Sequence, residues 1–558
     1  MTPRKFAANL AVLVGMACPA FAQQYDLVIR NGHIVDGTGS PWYSGDIAVK
    51  DGHIAAIGPI GKATSKQTID AHGLIVAPGF IDMLGQSDIS VLVDPRLPSK
   101  IFQGVTTEIT GEGSSVAPAT DAMIAANKTG FDRYKIAPPD WHNFGEYFHR
   151  LELQGIGINV ADYVGATTIR RVVIGDDNRP PTAAELARMQ ALVLDAMHQG
   201  AVGLSTSLMY APAPYATTEE LIALASTAAS AGGVYASHMR SEGDHINASL
   251  DETFRISREA HIPAIIWHLK ISGKANWGQM PQIVDRINAA RASGLDISAN
   301  TYAYTAASNT FSAFLPPWAH DGGNAAMIAR IHDPVQRAKI KDSIQHDKSW
   351  DNEWLWVESP AGFLLTSTTK PAMEPLLGKS LADIAAAQHK DPIDCALDLI
   401  AEDPGMHIAM FIMSEPDVAD ALKQPWVSIG IDNGGTAVDG VLGTARPHPR
   451  AYGTFTHVLK KYVREDHLIT LPDAIRKFTA LPAQTMHLAD RGVLKAGMWA
   501  DIVIFDPEKV ADVATYDNPN QYSVGMEYVL VNGTPVISQS KMTNALPGKV
   551  LRGPGYTP

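Results

Sequence analysis

Short apolar runs alternate with amphipathic stretches through the middle of the chain. The runs that end at His238, His268 and Asn300 recur about every 30 residues, the length of one strand followed by one helix. Stretches with helical spacing, such as residues 218–231 and 280–293, lie between these runs. This alternation is typical of an α/β fold and predicts a TIM-like (β/α)8 barrel.

Nine segments compete for the eight strand positions of this barrel, so one of them must lie outside it. They are residues 79–82, 106–110, 160–164, 203–205, 235–238, 265–268, 296–300, 408–411 and 427–431. The pattern does not indicate which one is extra. The stretch from about residue 308 to residue 390 is rich in Trp, Pro and short polar runs and is too long for an ordinary loop, so it predicts an insertion near the barrel mouth.

Both ends of the chain have a different pattern. Asn31-Gly32, Asp51-Gly52 and Asn532-Gly533 each separate alternating apolar runs, and such dipeptides are strong hairpin signals. We therefore expect a small β-sandwich domain built from residues 23–78 and 480–558, beside a barrel that covers residues 79–479.

Residues 1–22 have the pattern of a cleavable secretory signal. Arg4 and Lys5 precede an apolar run, and Ala20-Phe21-Ala22 follows it. The pattern predicts a periplasmic or secreted protein. The run is shorter than the roughly 20 residues that cross a bilayer, so no membrane span is expected. Cys18 leaves a lipoprotein as the less favoured alternative, because the residues before it form a poor lipobox.

Composition narrows the class of partner. The chain has 558 residues, of which 46% are hydrophobic, and a formal net charge of −13. An acidic protein of this kind is not expected to bind nucleic acid. Beyond the signal only Cys395 remains, which excludes an intramolecular disulfide in the exported protein. We expect a small-molecule partner, and the sequence leaves the oligomeric state open.

Two histidines are candidate metal ligands. His238 and His268 each end an apolar strand and are 30 residues apart. In a barrel they lie at the mouth, on adjacent strands, where two imidazoles can converge on one ion.

Two carboxylates lie at the ends of other predicted strands. Asp432 follows the last strand candidate and can act as a general base, or form an Asx turn. Glu112 lies between Gly111 and Gly113, which let the backbone approach a ligand closely, and it is either a metal ligand or a solvated loop residue.

Further residues at the same level of the barrel are candidates for substrate binding. Lys270 lies two residues beyond His268 and suits a substrate carboxylate. The other candidates are Arg240, Tyr302, Ser308 and His448, the last of these on a proline-stiffened loop where it could polarise a carbonyl.

Several motifs resemble those of the N-acyl-D-amino-acid deacylase (D-aminoacylase) family of the amidohydrolase superfamily. They are Ala77-Pro78-Gly79-Phe80-Ile81-Asp82, Gly203-Leu204-Ser205-Thr206, Ser237-His238-Met239-Arg240, His268-Leu269-Lys270 with Asn276-Trp277-Gly278, and the run from Arg446-Pro447-His448 to Phe455. The similarity extends in order over nearly all of the mature chain, including the split β domain.

The resemblance implies a zinc-dependent hydrolase that cleaves the amide bond of an N-acyl-D-amino acid. By position, His238 and His268 match zinc ligands of the family, and Asp432 matches its catalytic aspartate. Lys270, Tyr302 and Ser308 fall where the family binds the substrate carboxylate.

The chain departs from the family at two places. The family's His-x-His is replaced by Leu84-Gly85-Gln86, and its cysteine ligand falls at Gly113. The resemblance then implies that Glu112 takes the place of the cysteine. Two histidines and one carboxylate form a workable site for one zinc ion, with a fourth position left for water.

Two alternatives follow from these departures. In the first alternative, the protein is a dipeptidase or a hydrolase of another amide or cyclic amide within the same superfamily. In the second, it is a relative that has lost its metal and binds a ligand without turning it over. The retained histidines, Lys270 and Asp432 favour an enzyme.

Overall fold

The computed structural model describes residues 24–558, so the predicted signal segment lies outside the described residues. The strands are β1 (Gln24–Ile34), β2 (Tyr43–Lys50), β3 (His53–Gly58), β4 (Thr64–Asp70), β5 (Ile75–Pro78), β6 (Phe80–Asp82), β7 (Val105–Thr110), β8 (Asn159–Asp162), β9 (Val164–Gly165), β10 (Gly203–Ser207), β11 (Val234–His238), β12 (Ala264–Ile266), β13 (Ile297–Thr301), β14 (Ala307–Thr310), β15 (Phe363–Ser367), β16 (His407–Met410), β17 (Val427–Ile429), β18 (Ile502–Phe505), β19 (Met526–Val531), β20 (Thr534–Ser538) and β21 (Lys541–Met542).

The α-helices are α1 (Ser90–Val93), α2 (Pro98–Ile101), α3 (Asp121–Ala126), α4 (Lys128–Tyr134), α5 (Phe144–Gln154), α6 (Ala166–Val173), α7 (Ala183–His198), α8 (Thr218–Ser230), α9 (Ile246–Ala260), α10 (Met280–Ala292), α11 (Gly323–His332), α12 (Pro334–His346), α13 (Glu353–Val357), α14 (Leu381–Gln388), α15 (Pro392–Glu402), α16 (Glu415–Leu422), α17 (Arg450–His457), α18 (Leu471–Phe478) and α19 (Ala480–Thr485). Within residues 24–558, no helix is both long enough and apolar enough to cross a membrane.

The predicted barrel is confirmed. Its eight parallel strands are β6, β7, β8, β10, β11, β12, β13 and β17, and the short β9 continues β8. The N–H of Met83 donates to the carbonyl of Ile429 at 3.2 Å, which joins β6 to β17 and closes the ring. The N–H of Val202 donates to the carbonyl of Asp162 at 2.9 Å between β8 and β10.

The candidate strand that does not belong to the barrel is residues 408–411. It forms β16, which pairs antiparallel with β14 and β15 in a separate three-stranded sheet. The excursion between β13 and β17 therefore covers residues 302–426 and extends past residue 390, where we predicted that the insertion ends. Three of the four residues of β16 are buried, and a short apolar run of this kind looks the same in a barrel and in a buried subsidiary sheet.

The two ends of the chain meet in one nine-stranded sheet. Strand β5 pairs with β18 antiparallel and with β1 parallel, so it connects the N-terminal strands to the C-terminal ones. One apolar cluster within this sheet contains Ile29 and Ile47 together with Ile502 and Leu530. The core of the small domain therefore forms only when both termini are in place.

Two helices around the barrel, α7 and α8, begin at side-chain caps that the sequence provides. Thr182 and Glu185 form a reciprocal capping box at the start of α7, and the Thr217 hydroxyl accepts the N–H of Glu220 at the start of α8. These caps satisfy backbone donors that have no partner inside the helix. Because the eight strands are parallel, their carboxyl ends lie at the same rim of the barrel.

Candidate metal and substrate site

Three side chains that follow different strands converge at the barrel mouth. His238 is the last residue of β11, His268 follows β12, and Glu112 follows β7. The Nδ1 atom of His238 lies 3.0 Å from the Nε2 atom of His268. The Oε1 atom of Glu112 lies 3.1 Å from the first nitrogen and 3.4 Å from the second. Within residues 24–558, no other set of at least three His, Cys, Asp or Glu side chains has such close ligand atoms.

These spacings fit the donor set of a tetrahedral zinc ion. Zinc binds nitrogen and oxygen at about 2.0–2.2 Å, so neighbouring ligand atoms in a tetrahedron are roughly 3.3 Å apart. The three distances in the protein, 3.0, 3.1 and 3.4 Å, bracket this value. Two imidazoles and one carboxylate leave a fourth position free for water or substrate.

Glu242 supports His268 from the other side of the imidazole ring. Its Oε1 atom lies 2.7 Å from the Nδ1 atom of His268 and accepts a hydrogen bond from the Lys270 ammonium at 2.6 Å. An imidazole whose Nε2 binds a cation carries its proton on Nδ1, and Glu242 is placed to accept that proton in a hydrogen bond. Lys270, predicted to bind substrate, therefore also anchors this carboxylate.

The electrostatics of the group favour a positive charge between the ligands. Burial raises the pKa of Glu112, but hydrogen bonds from His238 and His268 outweigh it and hold that pKa well below the usual range. Burial and Lys270 lower the pKa of His268, yet Glu242 and Glu112 outweigh them and raise it to about 9. These carboxylates therefore favour a positive charge between the ligand atoms, which a bound metal ion would supply.

Asp432 lies beside this group and is held on both oxygens. Its Oδ1 atom accepts a hydrogen bond from the Gln86 amide at 3.0 Å, and its Oδ2 atom lies 2.8 Å from Nη1 of Arg450. Burial raises the pKa of Asp432 against the opposing effect of Arg450. A raised pKa makes a carboxylate a better proton acceptor near neutral pH.

Two of the site residues have unusual backbone angles. His268 has φ +36° and Asp432 has φ +56°, in the left-handed region that residues with a Cβ avoid. Asn300 compensates at His268, because its side-chain oxygen accepts the His268 N–H at 2.6 Å. Such residues cluster at functional sites, where the surrounding structure holds them in place.

Tyr302 and Ser308 lie at the predicted level of the barrel. Tyr302 is buried, with Arg450 4.6 Å and Lys270 5.8 Å from its ring centroid, so its ring lies within reach of both cations. The carbonyl of Ser308 accepts a hydrogen bond from Arg450 at 3.0 Å. These residues, together with the metal-ligand candidates and Asp432, line one cavity of about 640 Å³.

Arg240 is the predicted substrate-binding residue that the structure places elsewhere. Its guanidinium forms a salt bridge with Glu252 on α9 at 2.8 Å and donates to the carbonyls of Pro214 and Ala216. It lines a neighbouring cavity. The chain turns outward after β11, so Arg240 meets the helix that follows and holds loops together rather than facing the metal-ligand candidates.

His448 lines the site cavity, but neither of its ring nitrogens is free. Its Nδ1 atom accepts the N–H of Arg450 at 2.9 Å, and its Nε2 atom lies 3.1 Å from the Ala306 carbonyl and 3.0 Å from the Tyr516 hydroxyl. Burial holds the pKa of His448 well below its usual range. Its contacts position Arg450 and do not provide the free imidazole that we expected near a substrate carbonyl.

Sequence reasoning did not assign roles to Glu242, Gln86 and Arg450. Glu242 lies four residues after His238, and Gln86 was noted only as part of a replaced motif. Arg450 adjoins the proline-stiffened loop that carries His448. The available signal was the proximity of each polar residue to a predicted strand end.

Comparison with known proteins identifies the family. The amidohydrolase family model matches residues 374–537. D-aminoacylase from Alcaligenes xylosoxydans xylosoxydans is 36% identical over 534 residues, which cover 95% of this chain and 98% of that protein. The N-acyl-D-glutamate deacylase of the same organism is 35% identical over 531 residues, 95% of this chain and 97% of that protein.

A solved structure gives the same answer. The crystal structure of N-acyl-D-glutamate deacylase from Bordetella bronchiseptica, complexed with zinc and a phosphonate that mimics the tetrahedral intermediate, matches with a TM-score of 0.80 at 35% identity. The match covers 95% of this chain and 100% of that one. The chain therefore belongs to the N-acyl-D-amino-acid deacylase family of amidohydrolases and is a hydrolase of carbon–nitrogen bonds other than peptide bonds.

Proposed function

We propose that this protein is an exported, zinc-dependent deacylase that cleaves the amide bond of N-acyl-D-amino acids. The observation that carries the proposal is the convergence of Glu112, His238 and His268 at zinc-ligand spacing in the same cavity as Asp432 and Lys270. The substrate class rests on the activities of the relatives, which share 35–36% of their residues with this chain.

Different residues of the chain carry out proton transfer and substrate binding. A zinc ion at this position supplies Lewis acidity, which polarises an amide carbonyl and makes water nucleophilic near neutral pH. Asp432 takes the proton of the attacking water and delivers it to the departing amine nitrogen. Lys270 and Arg450, whose charged groups both lie near the ring of Tyr302, hold the substrate carboxylate so that the amide is fixed beside Asp432.

The charges of the site agree with an anionic substrate. Next to the metal-ligand candidates, the carboxylates of Glu112, Glu242 and Asp432 face the two cations Lys270 and Arg450, which leaves this group with one negative charge in excess when the imidazoles are neutral. One divalent ion changes the excess to one positive charge. A substrate carboxylate bound beside Lys270 and Arg450 then balances the charge of this group.

A substrate panel tests the proposal. The purified protein, with a zinc supplement, is assayed on matched pairs of N-acetyl-D- and N-acetyl-L-amino acids and on dipeptides. We expect turnover of the D compounds, loss of activity after chelation, and recovery when zinc is restored. Preferential cleavage of dipeptides or L compounds would contradict the assigned substrate class, and full activity after verified removal of metal would contradict the zinc dependence.

Export is the part of the proposal that depends on residues 1–22 alone. Arg4, Lys5 and the apolar run after them support a cleaved signal and a periplasmic or secreted location. Fractionation of cells that express the full chain, with N-terminal sequencing of the product, is expected to give a protein that starts at Gln23 outside the cytoplasm. An intact N-terminus in the cytoplasmic fraction would contradict export.

A further inference from the structure

The Gln86 side chain bridges two carboxylates of the site. Its Nε2 atom lies 2.6 Å from Oε2 of Glu112 and 3.0 Å from Oδ1 of Asp432. Carboxylate oxygens accept hydrogen bonds, so the two N–H groups of the amide match the two acceptors. Gln86 is exposed to the cavity and follows β6, whereas Asp432 follows β17. The hydrogen bond between them therefore joins the two strands at which the barrel closes.

This bridge gives each oxygen of Glu112 a separate partner. The Oε1 atom faces His238 and His268, while Oε2 is held by Gln86. Asp432 is divided in the same way between Gln86 on Oδ1 and Arg450 on Oδ2. Two carboxylates that approach a common point repel each other unless a cation or a hydrogen-bond donor lies between them. In this protein that donor is an uncharged amide.

We propose that Gln86 limits the site to one metal ion, because its amide fills the position between Glu112 and Asp432 where a second cation would bind. This inference rests on the proposed function, in which one zinc ion is held by Glu112 and the two histidines. The charges support it: against Lys270 and Arg450, the carboxylates of Glu112, Glu242 and Asp432 leave this group one charge positive once one divalent ion is bound, and a second ion would raise that excess to three. Leu84, on the same segment as Gln86, is buried and supplies no ligand atom.

Gln86→Glu tests the inference, because it replaces the donor with an anionic acceptor of nearly the same shape. Three carboxylates then meet at the bridge, and oxygen donors of this kind bind divalent cations. After equilibration with excess zinc and removal of free ion, we expect metal analysis to give about one equivalent per chain for the native protein and about two for this variant. Gln67→Glu, on the exposed strand β4, makes the same change away from the site and is expected to stay at about one.

Cobalt substitution gives a second readout, because two neighbouring Co²⁺ ions couple magnetically and one ion does not. Coupling is expected in Gln86→Glu and not in the native protein. If Gln86→Glu does not fold, Gln86→His is measured in its place. Its imidazole also offers a lone pair to a second metal ion where the native amide offers an N–H donor. Two equivalents in the native protein would overturn the inference, as would one equivalent in every folded Gln86 variant. A native protein that binds no metal would instead overturn the proposed function.

Discussion

The two halves of the site are assembled in different ways. His238 and His268 are 30 residues apart and lie at the ends of the adjacent strands β11 and β12. Gln86 and Asp432 are 346 residues apart and meet only because β6 pairs with β17 when the barrel closes. The first half follows from the repeat of one strand and one helix, whereas the second requires the whole ring. The proposed metal ligands and the proposed base are therefore positioned by different parts of the fold, and substitutions can test each half separately.

The largest effect is expected at the metal-binding half. His238→Ala removes one of the three proposed zinc ligands, so the zinc content is expected to fall from about one equivalent to near zero, with activity at background. Metal analysis and turnover are measured on the same sample. His149→Ala, an exposed histidine on α5, is the matched control and is expected to retain both. A zinc content that is unchanged in His238→Ala would remove this residue from the ligand set.

The next effect is expected at the closure half. Asp432→Asn removes the proton acceptor and is expected to lower kcat by about 10²–10⁴-fold while zinc content stays the same. Asp296→Asn is the control and is expected to keep the native kcat. Asp296 is exposed just before β13, at the end of the barrel opposite the site. Loss of metal in Asp432→Asn would show that metal binding also depends on Asp432, so that the two halves are not independent. Undiminished turnover would remove Asp432 from the mechanism.

A smaller effect is expected behind the metal ligands. Glu242→Gln weakens the acceptor of the His268 proton and is expected to reduce zinc affinity by about 10–100-fold, with activity restored at high zinc. Competition with a chelator of known affinity measures the change. Glu402→Gln, on the exposed end of α15, is expected to have native affinity. A native zinc affinity in Glu242→Gln would show that this carboxylate serves Lys270 alone.

The smallest effect is expected at Tyr302. Among the described residues, its hydroxyl donates a hydrogen bond only to the Met413 sulfur, at 3.3 Å, so Tyr302→Phe is expected to fold normally. If the hydroxyl binds the substrate carboxylate, KM rises by about tenfold with kcat nearly unchanged, because a hydrogen bond to a charged group contributes roughly 1.5 kcal/mol. Steady-state kinetics measure both constants. An unchanged KM would show that Tyr302 lines the cavity without binding the substrate carboxylate.

Most of the barrel was predictable because its strands repeat at a regular interval. The exception, β16, is a buried apolar run like the others, and only its antiparallel partners β14 and β15 show that it lies outside the ring. The placement of Arg240 and His448 was not predictable for a related reason. Both are polar residues near strand ends, and whether they face the cavity or a neighbouring helix or loop depends on contacts with residues such as Glu252 and Tyr516.

The alternation of strands and helices, the two histidines at adjacent strand ends and the nearby carboxylates can all be inferred from the amino-acid sequence. These features depend on spacing along the chain, which is fixed by the geometry of strands and helices. By contrast, it takes the folded barrel to show that Gln86 lies between Glu112 and Asp432, that Arg450 holds Asp432, and that Glu242 supports His268. Those pairings form across a closed ring of strands, where side chains far apart in sequence come within hydrogen-bonding distance.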